Sequence, residues 1–211
     1  MVPLLRTLSR NDLAAIHALE QIAWPSDVQA CTEKLLDRLT TFQEGCFGAF
    51  DCDELLGMVT SQIVYLPTDR YPTWTELTSD GWISKSHDPV GDCLHFVSIC
   101  VHPARRGRGI GRQLNRCRLD LARRLGMRGA LTHVRLPGLG SYLVERPSAS
   151  PHDYVNDVIS GRILEPAVRM YENLGFSVVR LTPECMRSDR ESLNYGLIMV
   201  AHLDENHASH T

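Results

Sequence analysis

Arg105-Arg106-Gly107-Arg108-Gly109-Ile110-Gly111 sets three glycines and three arginines within seven residues. Glycines let a backbone approach a ligand closely and turn successive N–H groups toward one point. A helix that starts at the last of them adds the partial positive charge of its N-terminus, so residues of these types in this order can hold a phosphate or pyrophosphate. Arg105, Arg106, Arg108 and Arg112 would place guanidinium groups at the rim. Two familiar phosphate patterns fail. A dinucleotide fingerprint counted from Gly107 would need its third glycine at Arg112, and there is no GxxxxGK[ST] run. The other readings are a tight turn whose glycines only permit the path, and contact with nucleic-acid phosphates. The latter is weakened by the absence of a helix-turn-helix spacing, a finger pattern or an aromatic RNA-binding strand. With Lys+Arg 22 against Asp+Glu 25, a formal charge of -3, any basic patch is also local.

Metal chemistry has little to build on. The seven cysteines, at 31, 46, 52, 93, 100, 117 and 185, form no CxxC pair, and the nine histidines do not accompany them at ligand spacings. An odd number of thiols cannot all be bridged within one chain, so reduced cysteines in a cytoplasmic compartment are expected. The segment MVPLLRTLSRNDL has neither a long apolar stretch nor a small-residue cleavage site, and no run is long enough to span a bilayer.

The elements that must position the loop can be read from periodicity. At 211 residues, 43% hydrophobic and 22% charged, one well-buried domain over 1–211 is expected. Ser9 and Asp12 mark a helix start, and Leu13, Ile16, Leu19, Ile22 and Ala23 follow on one face up to Trp24-Pro25. A second helix is expected over Thr32 to Leu39. Cys46 to Val64 reads as a hairpin turning at Asp51 to Glu54. Residues 66–92, with Pro67, Pro72, Gly81, Pro89 and Gly91, read as an irregular insertion. Leu94 to Val101 is a central strand running into the glycine loop. Ile110, Leu114, Cys117, Leu121 and Leu125 then define one face of a long helix ended by Gly126. Ala130 to Leu136 is a further strand, 137–151 a loop, and two helical patterns follow, the second ended by Gly175. Phe176 to Leu181 and Asn194 to Ala201 are the last strand candidates. The order predicts a mixed α+β protein built on one sheet.

With a strand before it and a helix after it, Arg106-x-x-Gly109-x-Gly111 resembles the acyl-CoA loop of the GNAT superfamily. Ala167-Val-Arg-Met-Tyr171-Glu-Asn-Leu-Gly175-Phe176 resembles that superfamily's later motif, a helical tyrosine preceding a Gly-Phe. The resemblance implies a single mixed, mostly antiparallel curved sheet with helices on both faces and a splayed central strand pair. Acetyl-CoA or another acyl-CoA would be the co-substrate, with no metal. Pantetheine would lie along Ser98, Ile99, Cys100 and Val101, and the pyrophosphate at Arg106, Gly107, Arg108, Gly109, Ile110, Gly111 and Arg112. Tyr171 would donate a proton to the leaving thiolate, chemistry that a phenol can perform. The sequence is more closely similar to the GNAT-like loading domains of some polyketide synthases, which decarboxylate malonyl-CoA and pass an acetyl group to a carrier-protein thiol. Trp24 and Thr132 match two of the site positions in those domains. Tyr171 occupies the place of their histidine, and their late arginine falls near Met186, beside Arg187.

Transfer to an amine needs a group that takes its proton, and the splay points to His95, Ser98, Thr132 and His133. Alternation along a strand sets Thr132 and His133 on opposite faces. Trp74 and Trp82, with Tyr142, would suit an apolar part of an acceptor, and Glu76 or Glu145 an amine. Arg123, Arg124 and Arg128 would suit an acidic carrier protein. The expected activity is N-acetyl transfer to a small-molecule amine by direct attack. The alternatives are decarboxylation or S-acyl transfer with an acyl carrier protein, and a CoA-binding domain without catalysis. No nucleic acid or membrane partner is expected, and a homodimer stays open.

Overall fold

The computed structural model describes residues 3–203. The expected span of 1–211 therefore reaches beyond the described residues at both ends. Seven strands form one sheet in the order β1-β2-β3-β4-β5-β7-β6. They are β1 (Leu4–Thr7), β2 (Phe47–Asp51), β3 (Glu54–Val64), β4 (Cys93–Val101), β5 (Gly129–Arg135), β6 (Ser177–Thr182) and β7 (Gly196–His202). Every neighbouring pair is antiparallel except β4 and β5, which run parallel. The helices are α1 (Leu13–Ala23), α2 (Thr32–Thr41), α3 (Trp74–Leu77), α4 (Ile110–Arg124), α5 (Leu139–Glu145), α6 (Pro151–Ile159) and α7 (Pro166–Glu172).

Alternation along the strands divides the core. Met58 and Cys100 face one side, where Ile16 and Leu19 of α1 and Leu35 and Leu39 of α2 cover them. Ala49, Leu56 and Val59 face the other, under Ile110 and Leu114 of α4. α1 stops where its sequence says it must: Trp24, before Pro25, is extended at φ -114 and ψ 144.

The feature that makes room for a site lies in the middle of the sheet. β4 and β5 pair only over Cys93–Phe96 and Gly129–Thr132. Beyond that, β4 continues against β3 and β5 against β7, so the two strands part toward their C-terminal ends. In the β3–β4 register Thr60 faces Ser98 and Ser61 faces Phe96, which leaves Val97 as an extra residue. A bulge of this kind bends the strand and re-aims its side chains. The indole Nε1 of Trp74 donates to the Val97 carbonyl at 2.9 Å and fixes the bulge from the insertion side.

Two stretches expected to be irregular contain structure. Residues 137–151 are not a continuous loop, because α5 occupies Leu139–Glu145 and buries Leu139 and Tyr142, three residues apart on one face. The 66–92 insertion holds α3, started by a capping box. Thr73 Oγ1 accepts from Glu76 N at 3.1 Å, and the Glu76 carboxylate accepts from Thr73 N at 2.9 Å. Thr73-x-x-Glu76 is legible in the sequence, but one turn is too short to show a hydrophobic period. Among the described residues no helix is long and apolar enough to cross a membrane.

Candidate active site

The glycine loop leaves β4 at Val101. Its first turn is held by the His102 ring, whose Nδ1 accepts from Ala104 N at 3.2 Å. Gly107 and Gly109 have φ of +76 and +79, a region that side chains with a Cβ enter only at a cost. Gly111 serves differently. A Cβ there would meet Met170 Sδ at 3.3 Å and Ile99 Cδ1 at 3.4 Å, so it keeps a gap between β4, α4 and α7. Gly109 caps α4, and the first intrahelical bond is Gln113 N to Gly109 O. The N–H groups of Ile110, Gly111 and Arg112 precede that bond and can face an anion. Arg106 is pinned across the opening, its Nη2 donating to Ala23 O at 2.9 Å. Arg105 pairs with Glu54.

Three cavities join into one cleft. The first, about 690 Å³, is lined by Val101, Arg105 to Arg112, Pro166, Arg169, Met170 and Asn173. The second, about 710 Å³, shares Val101, Arg106, Gly111, Pro166 and Met170 with it and continues between Trp24 and Pro25 on one wall and Ile99 and Cys100 on the other. The third, about 450 Å³, shares Trp24 and Arg135 with the second and extends to Glu20, Asp27, Lys34, Arg38, Trp74, Val97, Ser98 and Met186 to Ser188. The run has the N–H groups that start α4 at one end and the splay of β4 and β5 beside the other. The residues expected to bind acyl-CoA, Ser98 to Val101 and Arg106 to Arg112, all line the cleft.

Of the residues expected to contact an acceptor, Trp24 and Trp74 line the third cavity and Trp82 does not. Trp82 instead lies half-buried between Lys34 and Lys85, whose ammonium groups are 5.9 and 6.0 Å from its ring centre. Trp24 Nε1 is buried with no hydrogen-bond partner among the described residues.

His95 and His133 lie away from the cleft lining, in a chain of buried bonds. Pro72 O can only accept, so His133 Nε2 donates to it at 3.0 Å, and His133 Nδ1 must accept from His95 Nε2 at 3.1 Å. His95 Nδ1 then accepts from Gln62 Nε2 at 3.1 Å, and Gln62 Oε1 accepts from Ser86 Oγ at 2.9 Å. All four ring nitrogens are occupied. Burial pushes His133 down to about 4 and His95 well below the ordinary histidine value, the neighbouring ring and Arg118 adding to the second shift. Neither ring is placed to receive a proton from a ligand in the cleft. Thr132 is buried opposite Phe96, on the other face of β5, and is likewise outside the lining.

Tyr171 follows Met170, which lines the cleft, but is itself buried and, like Thr132, outside the lining. Its ring packs edge-on to Phe176 at 5.2 Å, and its hydroxyl accepts from Arg118 Nη2 at 3.4 Å. Arg118 was not singled out by sequence reasoning. It is fully buried in α4, lies 3.8 Å over the Phe96 ring, bonds the Asn115 side chain and donates to Thr60 O and Ser98 O at 3.2 Å. Burial brings it down to about 10, so it remains cationic at neutral pH. The signal was its place four residues after Leu114 on the apolar stripe. Glu20, four after Ile16, carries the same signal, and it is 2% exposed. Arg135, with 12% of its side chain exposed, is paired by Asp189 and Glu191 and lies 5.2 Å from the Trp24 ring. Among the described residues no cluster of three or more His, Cys, Asp or Glu could hold a metal.

Known proteins resemble this chain in sequence and in fold. Residues 13–142 match the family model "Acetyltransferase (GNAT) family". Two Bacillus subtilis (strain 168) proteins are similar over 92% of the chain. YhcX, named a probable hydrolase, is 29% identical, and the chain spans 37% of its length. YkwB, named an uncharacterized N-acetyltransferase, is 30% identical, and the chain spans 86% of its length. Among solved structures, the loading GNATL domain of CurA from Lyngbya majuscula superposes with a TM-score of 0.80 at 20% identity, over 96% of this chain and 98% of that one. The GphF GNAT-like decarboxylase in complex with isobutyryl-CoA gives 0.78 at 20% identity, over 95% and 100%. At such identity the likeness speaks for the fold, and the fold is the one that the loop and the late tyrosine motif imply. With a family model matched over more than half of its residues, the chain belongs to the acetyltransferase (GNAT) family.

Proposed function

We propose that the protein transfers an acyl group, most simply acetyl, from acyl-CoA to an amine by direct attack while both substrates are bound. The observation that carries this reading is the continuity of the cleft. The cavity at Arg106 to Arg112 and the chamber at Glu20 to Ser98 are linked by the one between them, which shares Arg106 and Gly111 with the first and Trp24 and Arg135 with the second, beside the splay of β4 and β5. Two ligands entering from the two ends would bring thioester and nucleophile together there, which replaces an encounter in solution by a held geometry. The residues fit the CoA group. Free N–H groups start α4, Gly111 leaves space for a thin arm, and arginines rim the phosphate end.

Tyr171 is the proton donor in this reading. Arg118 can only donate, so the phenol oxygen accepts from it and keeps its own proton for another acceptor. Arg118 also bonds Ser98 O, at the point where the strands part, and this ties Tyr171 to the reacting end of the cleft. Incubation with acetyl-CoA and a panel of amines, following free CoA, tests the proposal. Release that depends on an amine supports it, and no release with any amine, despite acetyl-CoA binding, overturns it.

A second reading has one observation behind it. Trp24, matched to the loading domains on sequence, does line the junction of the two cavities, with an indole N–H free to meet a ligand oxygen. Release of carbon dioxide from malonyl-CoA, or acyl transfer to a carrier-protein thiol, would select that reading.

A further inference from the structure

The cavity that Trp24 and Trp74 line contains a carboxylate that the fold does not use up. Glu20 Oε1 accepts from Ala30 N at 2.9 Å, while Oε2 is buried and has no partner among the described residues. Leaving an acceptor of this kind unpaired is costly, so a buried one at a cavity wall marks a place where a ligand brings the donor. Burial holds Glu20 above the ordinary carboxylate range, with Arg38 of α2 and His17 of α1 pulling the other way. The thiol of Cys100 on β4 is close enough to feel its charge, and Asp27 shares the wall.

The cations of the same cavity are unevenly engaged. Lys34 is taken by Asp80, and Arg135 by Asp189 and Glu191. Arg38 is buried and donates to Gly81 O at 3.2 Å. Arg187 is exposed at the mouth and has no ion pair among the described residues. The wall of the chamber thus carries an acceptor without a donor and a cation without an anion.

We infer that this chamber takes a primary amine that carries an anionic group, such as an amino acid, with Glu20 as the base that receives the amine's proton and Arg187 as the group that binds the anion. The inference rests on the N-acyltransferase reading above and adds the substrate class and the base. In the step it describes, the ammonium gives one proton to Glu20 Oε2. The neutral amine attacks the thioester carbon, so the N–C bond forms and the C–S bond breaks with its electron pair going to sulfur. Sulfur takes a proton from Tyr171, the nitrogen loses its second proton as the amide forms, and that proton returns to the phenol. A carboxylate held above its usual range is a better match to an ammonium than an exposed one.

The test compares amino acids with the corresponding decarboxylated amines, following CoA release from acetyl-CoA. The wild type is expected to favour the amino acids by about tenfold or more in kcat/KM, as one charge-assisted contact allows. Arg187→Met should raise KM for the amino acids and narrow their advantage over the plain amines. Glu20→Gln keeps an oxygen for Ala30 N. It should therefore stay folded, with a Tm equal to or above the wild type, and lose about 10²-fold or more in kcat. The acid limb of the wild-type profile, lying above the ordinary carboxylate range, should disappear with it. Unchanged kcat and pH profile in Glu20→Gln, or no preference for amino acids together with an inert Arg187→Met, would overturn the inference while amine-dependent release still upheld the transferase reading. No release with any amine would overturn both.

Discussion

Tyr171 and Gly111 show how far single residues decide this site. The phenol is packed against Phe96 and Phe176 and bonded to Arg118, so a merely structural tyrosine and a proton donor look alike until the hydroxyl is removed. Tyr171→Phe keeps the ring and deletes one bond to a charged donor, worth on the order of 1 kcal/mol of stability. In the donor role it should also cost about 10²-fold or more in kcat with little change in KM for acetyl-CoA. Steady-state CoA release alongside a thermal melt separates the two: a small loss of stability with full kcat would return Tyr171 to the core. Gly111 is tested through binding. A valine there would push into Met170 and Ile99, which stand 3.3 and 3.4 Å from the first carbon, and would close the narrow part of the cleft. Calorimetry should show acetyl-CoA affinity falling by about tenfold or more for Gly111→Val, the effect of a steric block costing above 1.4 kcal/mol. The far-UV spectrum should be unchanged.

At the scale of elements, α4 and the bulge in β4 act as one unit through Arg118. The guanidinium has no carboxylate partner among its hydrogen bonds, and its cost of burial is offset by the Phe96 ring and by the Thr60 and Ser98 carbonyls. Arg118→Met would relieve the buried charge but strip two carbonyls of their donor, at about 1–3 kcal/mol each. The second effect wins, because Ser98 O lies where β4 leaves β5 and Thr60 is the register partner of Ser98 on β3. A drop in Tm of roughly 5–15 °C follows for a chain of this size, measurable by scanning calorimetry. An unchanged Tm would mean that α4 holds the bulge by apolar packing alone. Arg118 also marks the limit of what the sequence made legible. The helix over Ile110 was evident from its period, yet an arginine four residues after Leu114 reads as charge on an amphipathic helix until burial is seen. Likewise β2 to β5 and the loop after β4 follow from β-branched runs and glycines. The one-turn α3 and the short α5, by contrast, are fixed by tertiary contacts such as Trp74 to Val97. That His95 and His133 lie outside the cleft lining was hidden for a related reason. Alternation places a side chain on a face of a strand but cannot say that the loop at Pro72 has closed over that face.

Over the whole molecule, those two histidines become a term in stability. In the unfolded chain a histidine titrates near 6.5, whereas in the fold burial pushes His133 down to about 4 and His95 well below its ordinary value, because a charged ring there would lose its water. The sign follows from proton counts. Above pH 6.5 both states hold the rings neutral and the full stability is present. As the pH falls from 6.5 toward 4, the unfolded state takes up protons that the folded state refuses, and stability is lost. For His133 alone the loss approaches about 3 kcal/mol by pH 4, at 1.36 kcal/mol per unit, a large share of the ~5–15 kcal/mol that holds a typical domain. Urea denaturation at steps between pH 7 and pH 4 should therefore show a midpoint that falls steadily across this window. His133→Gln retains a side chain able to donate to Pro72 O and accept from His95, and it should unfold with a shallower pH slope, one proton having been removed from the count. An identical slope in variant and wild type would mean that His133 titrates in the fold as it does in the unfolded chain, and that the buried chain opens at low pH before the sheet does.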